Sequence, residues 1–158
     1  MTVVEVATQI LKVEEGFSGD VYLCSGGYPT VGYGIKLGYY MQPLEDYKYF
    51  PTISTKLGEV WLSEALQQTI NKIEADPNLT FFSSLDPIRA ATVASMCYQM
   101  GVEGFKRFKN TIKYLEERDY HNASVEMLDS LWAKQQSTNR AIRHSRMIDA
   151  GVLLQYYT

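Results

Sequence analysis

Apolar residues near the start of the chain recur at helical spacing. Val3, Val4, Val6, Ala7, Ile10, Leu11 and Val13 form one wide stripe, and Gly16 is placed to stop it. The spacing predicts a helix over 3–14, with Glu15 where the chain leaves it. From Phe17 to Tyr40 the period changes. Glycines at 19, 26, 27, 32, 34 and 38 punctuate runs such as VYLC and TVGYG, rich in β-branched and aromatic residues. That predicts a small antiparallel sheet of two or three short strands. The segment YYMQPLEDYKYFPTIS is aromatic, holds two prolines and has no period, so it reads as an ordered loop or cap over the sheet.

The rest of the chain is patterned for helices. SEALQQTINKIEA is amphipathic, opens on Ser63 as a plausible N-cap and is closed by Asp76-Pro77. LDPIRAATVASMCYQMG places Pro87 near its first turn, then runs apolar almost without interruption to Gly101. A helix apolar nearly all round belongs at the centre of a bundle. FKNTIKYLEER, YHNASVEMLDSLWAK and NRAIRHSRMIDAGVLLQYY predict further short helices. No repeat, low-complexity tract or flexible linker interrupts them. The whole is an α+β chain forming one domain, 1–158. A sheet lobe covers about 15–62 and a linking helix about 63–75. The helical lobe covers about 76–158, together with helix 3–14. A cleft between two unequal lobes suits an extended ligand.

Composition narrows the function. At 158 residues, 46% apolar and 21% charged, the chain has the make-up of an ordinary soluble globular domain with a real core. Its net charge of −3 argues against a nucleic-acid partner, which requires a cationic surface. The N-terminal MTVVEVATQILKVEEG has no basic n-region, and Glu5 and Gln9 interrupt its apolar residues; it reads as neither a secretory leader nor a membrane-inserting span. Cys24 and Cys97 make no disulfide framework, and His121 and His144 lack metal-ligand spacing. Neither metal nor cofactor is expected.

The stretch EEGFSGDVYLCSGGYPTVGYG sets two adjacent carboxylates, Glu14 and Glu15, the Cys24 thiol and the Thr30 hydroxyl at even intervals. These are either a reaction site or plain structure: a helix-end carboxylate, a small buried thiol and a β-branched strand residue. Further blocks follow in order, RAATVASMCYQMG, GFKRFKNTIKYLEER and LWAKQQSTNRAIR. Together they resemble the phage-type, T4-like lysozyme and endolysin family over about residues 5–147. The family's signature is a glutamate, eight residues, an aspartate or sometimes a cysteine, five residues and a threonine. Here those are Glu15, Cys24 and Thr30. The resemblance is thinnest from Tyr39 to Leu57.

The resemblance implies a lysozyme-like two-lobed fold. It also implies hydrolysis of the β-1,4 bond between N-acetylmuramic acid and N-acetylglucosamine in peptidoglycan, with no cofactor. Glu15 would be the general acid and Thr30 would position water. Cys24 would stand in for the second carboxylate, either as the base of an inverting reaction or as the covalent nucleophile of a retaining one. An ordinary thiol, with a pKa of ~8.5, is mostly neutral at pH 7, and a nearby carboxylate would raise it further. Arg140 resembles the arginine that pairs with the catalytic glutamate. A cleft favours the protonated form of a carboxyl, and a fixed cation opposes that while orienting it.

Tyr98 and Gln99 match an aromatic-plus-amide pair at the cleft floor, one for pyranose C–H groups and the other for an N-acetyl group, with core packing as the rival for Tyr98. Lys36, Thr111 and Glu126 fall where the family contacts glycan or peptide stem, although Glu126 replaces the usual neutral amide and Ile35 the usual histidine. Trp132 and Cys97 read as core, and Glu14 as a solvated neighbour of Glu15. The family is usually basic, so steering to an acidic wall would rest on a local patch around Arg140, Arg143, His144 and Arg146.

The expected partners are peptidoglycan strands, without nucleic acid or membrane insertion. The chain is expected as a monomer, with an inhibitor protein or a phage particle as further partners. A lysis enzyme without a leader would wait in the host cytoplasm until a membrane lesion gives access to the periplasm; a tail-mounted one would arrive with the virion. The rival readings are a silent glycan-binding or structural module, and an antibacterial toxin with the same activity.

Overall fold

Helix α1, Val3–Glu15, starts at a capping box. The Thr2 hydroxyl accepts from the Glu5 N–H, and the Glu5 carboxylate accepts from the Thr2 N–H. In the computed structural model, which describes residues 1–158, Val6, Ala7, Ile10 and Leu11 of this helix are fully buried. Gly16 ends the helix at φ 65°, a backbone region that favours glycine, so Glu15 is the last helical residue.

Three antiparallel strands follow in the order β1 (Ser18–Leu23), β2 (Pro29–Gly32) and β3 (Ile35–Lys36). Tyr22 pairs with Thr30, and Thr30 pairs in turn with Lys36. Cys24 sits just past β1, where its N–H donates to the Tyr28 carbonyl and its own carbonyl accepts from the Gly27 N–H. The aromatic segment beyond β3 is an ordered cap, as its composition suggests, with one 3-10 turn at Leu44–Tyr47. The Ile53 N–H ties it back to the Gly19 carbonyl at 2.9 Å.

Helix α2 spans Thr55–Ala75, so the expected start at 63 is corrected. Ser54 is the N-cap, its hydroxyl accepting from the Leu57 N–H. Gly58 and the exposed Leu57 and Val60 hide the helical period in the first turns. Gly58 answers a packing need, because a Cβ there would stand 2.8 Å from the Phe17 ring. The sheet lobe therefore ends before residue 62. Downstream, Leu62, Leu66, Ile70 and Ile73 form the buried stripe of α2.

Helix α3, Pro87–Met100, is capped by Asp86, whose carboxylate accepts from the Arg89 N–H. Ala90 to Cys97 are buried without a break, and α1, α2 and a later helix, α7, pack around them. Short helices α4 (Val102–Phe105), α5 (Lys109–Glu116) and α6 (Tyr120–Leu128) lead to a π-helical turn at Trp132–Gln136 and then to α7, Thr138–Ala150. Two expected helices are thus shorter than their patterns. The stretch 120–134 breaks at Asp129, and 139–157 stops at Gly151, which is left-handed at φ 67°. Arg89 seals that end by donating to the carbonyls of Ile148 and Asp149 at 2.6 and 2.7 Å. No helix is long and apolar enough to cross a membrane.

Candidate active site

A groove of about 740 Å³ runs between the sheet and helices α2 and α3. Its lining includes Glu15, Cys24, Thr30, Lys36, Tyr98 and Gln99. On the helical side, the Glu15 side chain is 20% exposed and its Oε1 accepts from Arg140 Nη1 at 2.9 Å. Arg140 is itself buried, and its Nη2 donates to the Ser95 carbonyl and hydroxyl at 3.2 and 3.0 Å. The carboxylate is therefore oriented by a cation that the helical core holds in place.

The other oxygen of Glu15 faces Gly34 in the β2–β3 turn. A Cβ at that position would lie 2.7 Å from Oε2, and Gly34 has φ 75°. Gly34→Ala is expected to push the carboxylate off its position and to strain the turn. Displacement of a reacting group by about 1 Å costs about a hundredfold in rate. Turnover and a thermal melt of this variant check it together.

On the sheet side Cys24 is partly exposed, whereas Cys97 is buried, its thiol pushed up by burial. Burial also works to raise the Cys24 pKa. It is outweighed by the N–H groups of Tyr28 and Gly26 and by the Lys36 charge, so the thiol is shifted below its ordinary value. The expected upward push from Glu15 is overturned by donors on the turn itself. Thr30 is buried and donates to the Tyr28 carbonyl at 2.9 Å, which leaves its oxygen lone pairs free to accept. Lys36 is exposed, with Nζ 4.9 Å from the centre of the Tyr28 ring.

Tyr98 is part-buried on the groove wall, and its hydroxyl donates to the Tyr33 carbonyl at 2.8 Å. Gln99 lines the same groove and is tied into the helical lobe. Its Oε1 accepts from Trp132 Nε1 at 3.0 Å and its Nε2 donates to Ser137 at 2.9 Å. Both ends of the amide are engaged inside the protein, so Gln99 braces the groove floor, while Trp132 is core as expected. Thr111 and Glu126 are not brought to Glu15. They line another hollow of about 450 Å³ that shares Met100 with the groove's lining, with Thr111 buried and Glu126 accepting from Asn110 at 3.4 Å.

The chain's own surroundings overturn two further expectations. Glu14 is not solvated. Its side chain is 5% exposed and accepts from Arg143 Nε and Nη2, each at 2.8 Å, and from the Tyr157 hydroxyl. The basic patch is likewise absent, because Arg140 and Arg143 are paired, His144 is fully buried, and of that stretch Arg146 alone is both exposed and a cation. The Glu14–Arg143–Tyr157 clamp and Ser95 are the residues behind the site that sequence reasoning missed. Two glutamates at one helix end, matched by arginines three apart on another, were the signal for the clamp; Ser95 left none.

His144 Nε2 lies 2.8 Å from the Ser95 hydroxyl behind Arg140. Burial, reinforced by the Arg140 charge, lowers its pKa to about 3. The unfolded chain takes up a proton near pH ~6.5 that the folded chain refuses, so stability falls as pH drops below that value. The slope reaches about 1.4 kcal/mol per pH unit for one proton. For Glu14, burial is outweighed by Arg143 and Tyr157, so its pKa is lowered. Its contribution is complete above the unfolded value and is lost only at more acid pH. Urea unfolding between about pH 6.5 and 5 is therefore expected to show a decline that His144→Gln flattens.

One groove between a small sheet and a helical lobe thus holds a core-anchored carboxyl, a partly exposed thiol and a buried hydroxyl. The chain belongs to the phage lysozyme family, whose model matches residues 12–146. It is 30% identical over 165 residues to probable T4-type lysozyme 1 of Dictyostelium discoideum, spanning 93% of this chain and 95% of that protein. Probable T4-type lysozyme 2 of the same organism is 27% identical over 163 residues, with the same coverage. The pre-baseplate central spike protein Gp5 of Enterobacteria phage T4 is 26% identical over 167 residues, spanning 94% of this chain but 28% of that protein.

Proposed function

We propose that the groove binds a peptidoglycan strand and that the protein cleaves its β-1,4 bond between N-acetylmuramic acid and N-acetylglucosamine. The observation that carries this reading is the Arg140-held Glu15 in the wall of the same groove as Cys24 and Thr30. Glu15 gives its proton to the glycosidic oxygen as the C1–O bond breaks. Cys24 then acts in one of two ways. As a thiolate base it takes a proton from the water whose oxygen bonds to C1, with inversion. As a nucleophile it bonds to C1 itself, and water displaces it after giving a proton to the Glu15 carboxylate, with retention. Thr30 accepts a hydrogen bond from the attacking water, Arg140 positions Glu15, and Lys36 and Tyr98 flank the sugar.

Likeness to the phage spike protein supports delivery on a particle, for wall penetration or lysis. Likeness to the Dictyostelium proteins supports a bacteriolytic enzyme outside phages as well. The test is clearing of outer-membrane-permeabilised Gram-negative cells, with the new reducing ends identified as muramic acid and their first-formed anomer read by NMR. Binding to murein with no new reducing ends would overturn hydrolysis in favour of a silent glycan-binding module.

A further inference from the structure

The surface of residues 39–50 is aromatic. Tyr39 is 100% exposed and Tyr49 88%, with Tyr40 and Met41 exposed beside them. The backbone under Tyr39 is nevertheless held. The Leu37 N–H donates to the Pro29 carbonyl at 2.8 Å, and Met41 packs on Gly27, its Sδ 3.0 Å from where a Cβ would stand. The Tyr47 hydroxyl donates to Gln42 Oε1 at 3.0 Å, and the Gln42 side chain lies against Gly38. An anchored tyrosine that touches nothing with its ring is a platform, because its apolar face gains free energy only when a ligand covers it.

Beside Tyr39 is a hollow of about 420 Å³, lined by Tyr28, Lys36, Leu37, Gly38 and Tyr39. Tyr28 and Lys36 also line the groove that holds Glu15. The two spaces are thus neighbours, with Tyr28 and Lys36 lining both. An aromatic face, a phenol hydroxyl and an ammonium donor around one hollow match a pyranose ring, which offers a C–H face to stack and oxygens to accept. The chain's net −3 charge disfavours a nucleic-acid strand as occupant.

We propose that Tyr39, with Lys36 at its side, forms an additional sugar-binding subsite. It would hold a pyranose unit of the glycan beyond those flanking the bond to be cleaved. This rests on the reading that a glycan occupies the groove. It gives the protein a preference for long strands, contributed by Tyr39, which takes no part in bond cleavage.

The test separates binding from turnover. Peptide-stripped peptidoglycan oligosaccharides of about two to about eight sugars are titrated calorimetrically into Glu15→Gln and into Glu15→Gln carrying Tyr39→Ala. Loss of one stacking platform is expected to weaken the longest ligands about five- to tenfold and to leave the shortest unchanged. Tyr39→Trp should restore the affinity. Equal affinity of both proteins at every length overturns the subsite, as does equal loss at every length or no binding at all. So does a Tyr39 dependence seen only with phospholipid vesicles. Turnover of the same oligosaccharides by wild type is followed alongside. Tyr39-dependent binding without turnover would remove the hydrolase reading and keep the subsite; turnover without the length dependence would do the reverse.

Discussion

Glu15→Gln is expected to lower the rate of wall clearing by about 10²–10⁴-fold, the usual contribution of a positioned general acid. The amide keeps the size of the carboxyl and can still accept from Arg140 Nη1 through its oxygen. It has no proton to give to a departing sugar oxygen. The substitution also leaves the buried Arg140 cation without its counter-charge, so a lower melting temperature is expected beside the kinetic loss. The two effects separate in assay, since activity is measured well below the melt. Undiminished clearing by a folded Glu15→Gln protein would assign proton donation to another group and end the proposed mechanism.

The second large effect is expected at Cys24. Cys24→Ala removes the only ionisable group that the proposal places opposite Glu15, and about a hundredfold or greater loss follows if it is base or nucleophile. Alkylation of the wild-type protein gives the same answer without mutation. Cys97 is buried and its thiol is pushed up, so Cys24 is the sulfur that reagents reach. Cys24→Asp is expected to keep activity and to extend it to lower pH. The second group must be ionised, so its limb of the pH profile lies above its pKa, and a carboxylate ionises at more acid pH than a thiol even when the thiol is shifted down. Full activity after complete modification of Cys24 would remove the sulfur from the reaction.

What the sequence made legible follows from how local each feature is. Helix α1, the sheet and α3 were readable because each buries one face or all faces with a single period, and their stops are glycines. The start of α2 was not, because Gly58 and exposed apolar residues mask the period where the Phe17 ring comes in. Glu15, Cys24 and Thr30 were visible as a spacing within one short stretch, and the geometry brings all three to one groove. Partners distant along the chain were not legible. Gln99 takes Trp132, and Glu14 takes Arg143 from 129 positions away. The downward shift of the Cys24 thiol depends on N–H groups of a turn that composition alone does not orient.

The pairing of Arg140 and Arg143 with two glutamates also decides how this molecule meets its surroundings. Both cations are cancelled where they stand, so the excess negative charge is presented outward. Approach to a polyanionic mesh is then opposed at low ionic strength, and the Debye length of about 10 Å near 0.1 M cuts that opposition off before contact. Dissolved salt eases the encounter, and retention on the wall falls to short-range, sterically matched surfaces.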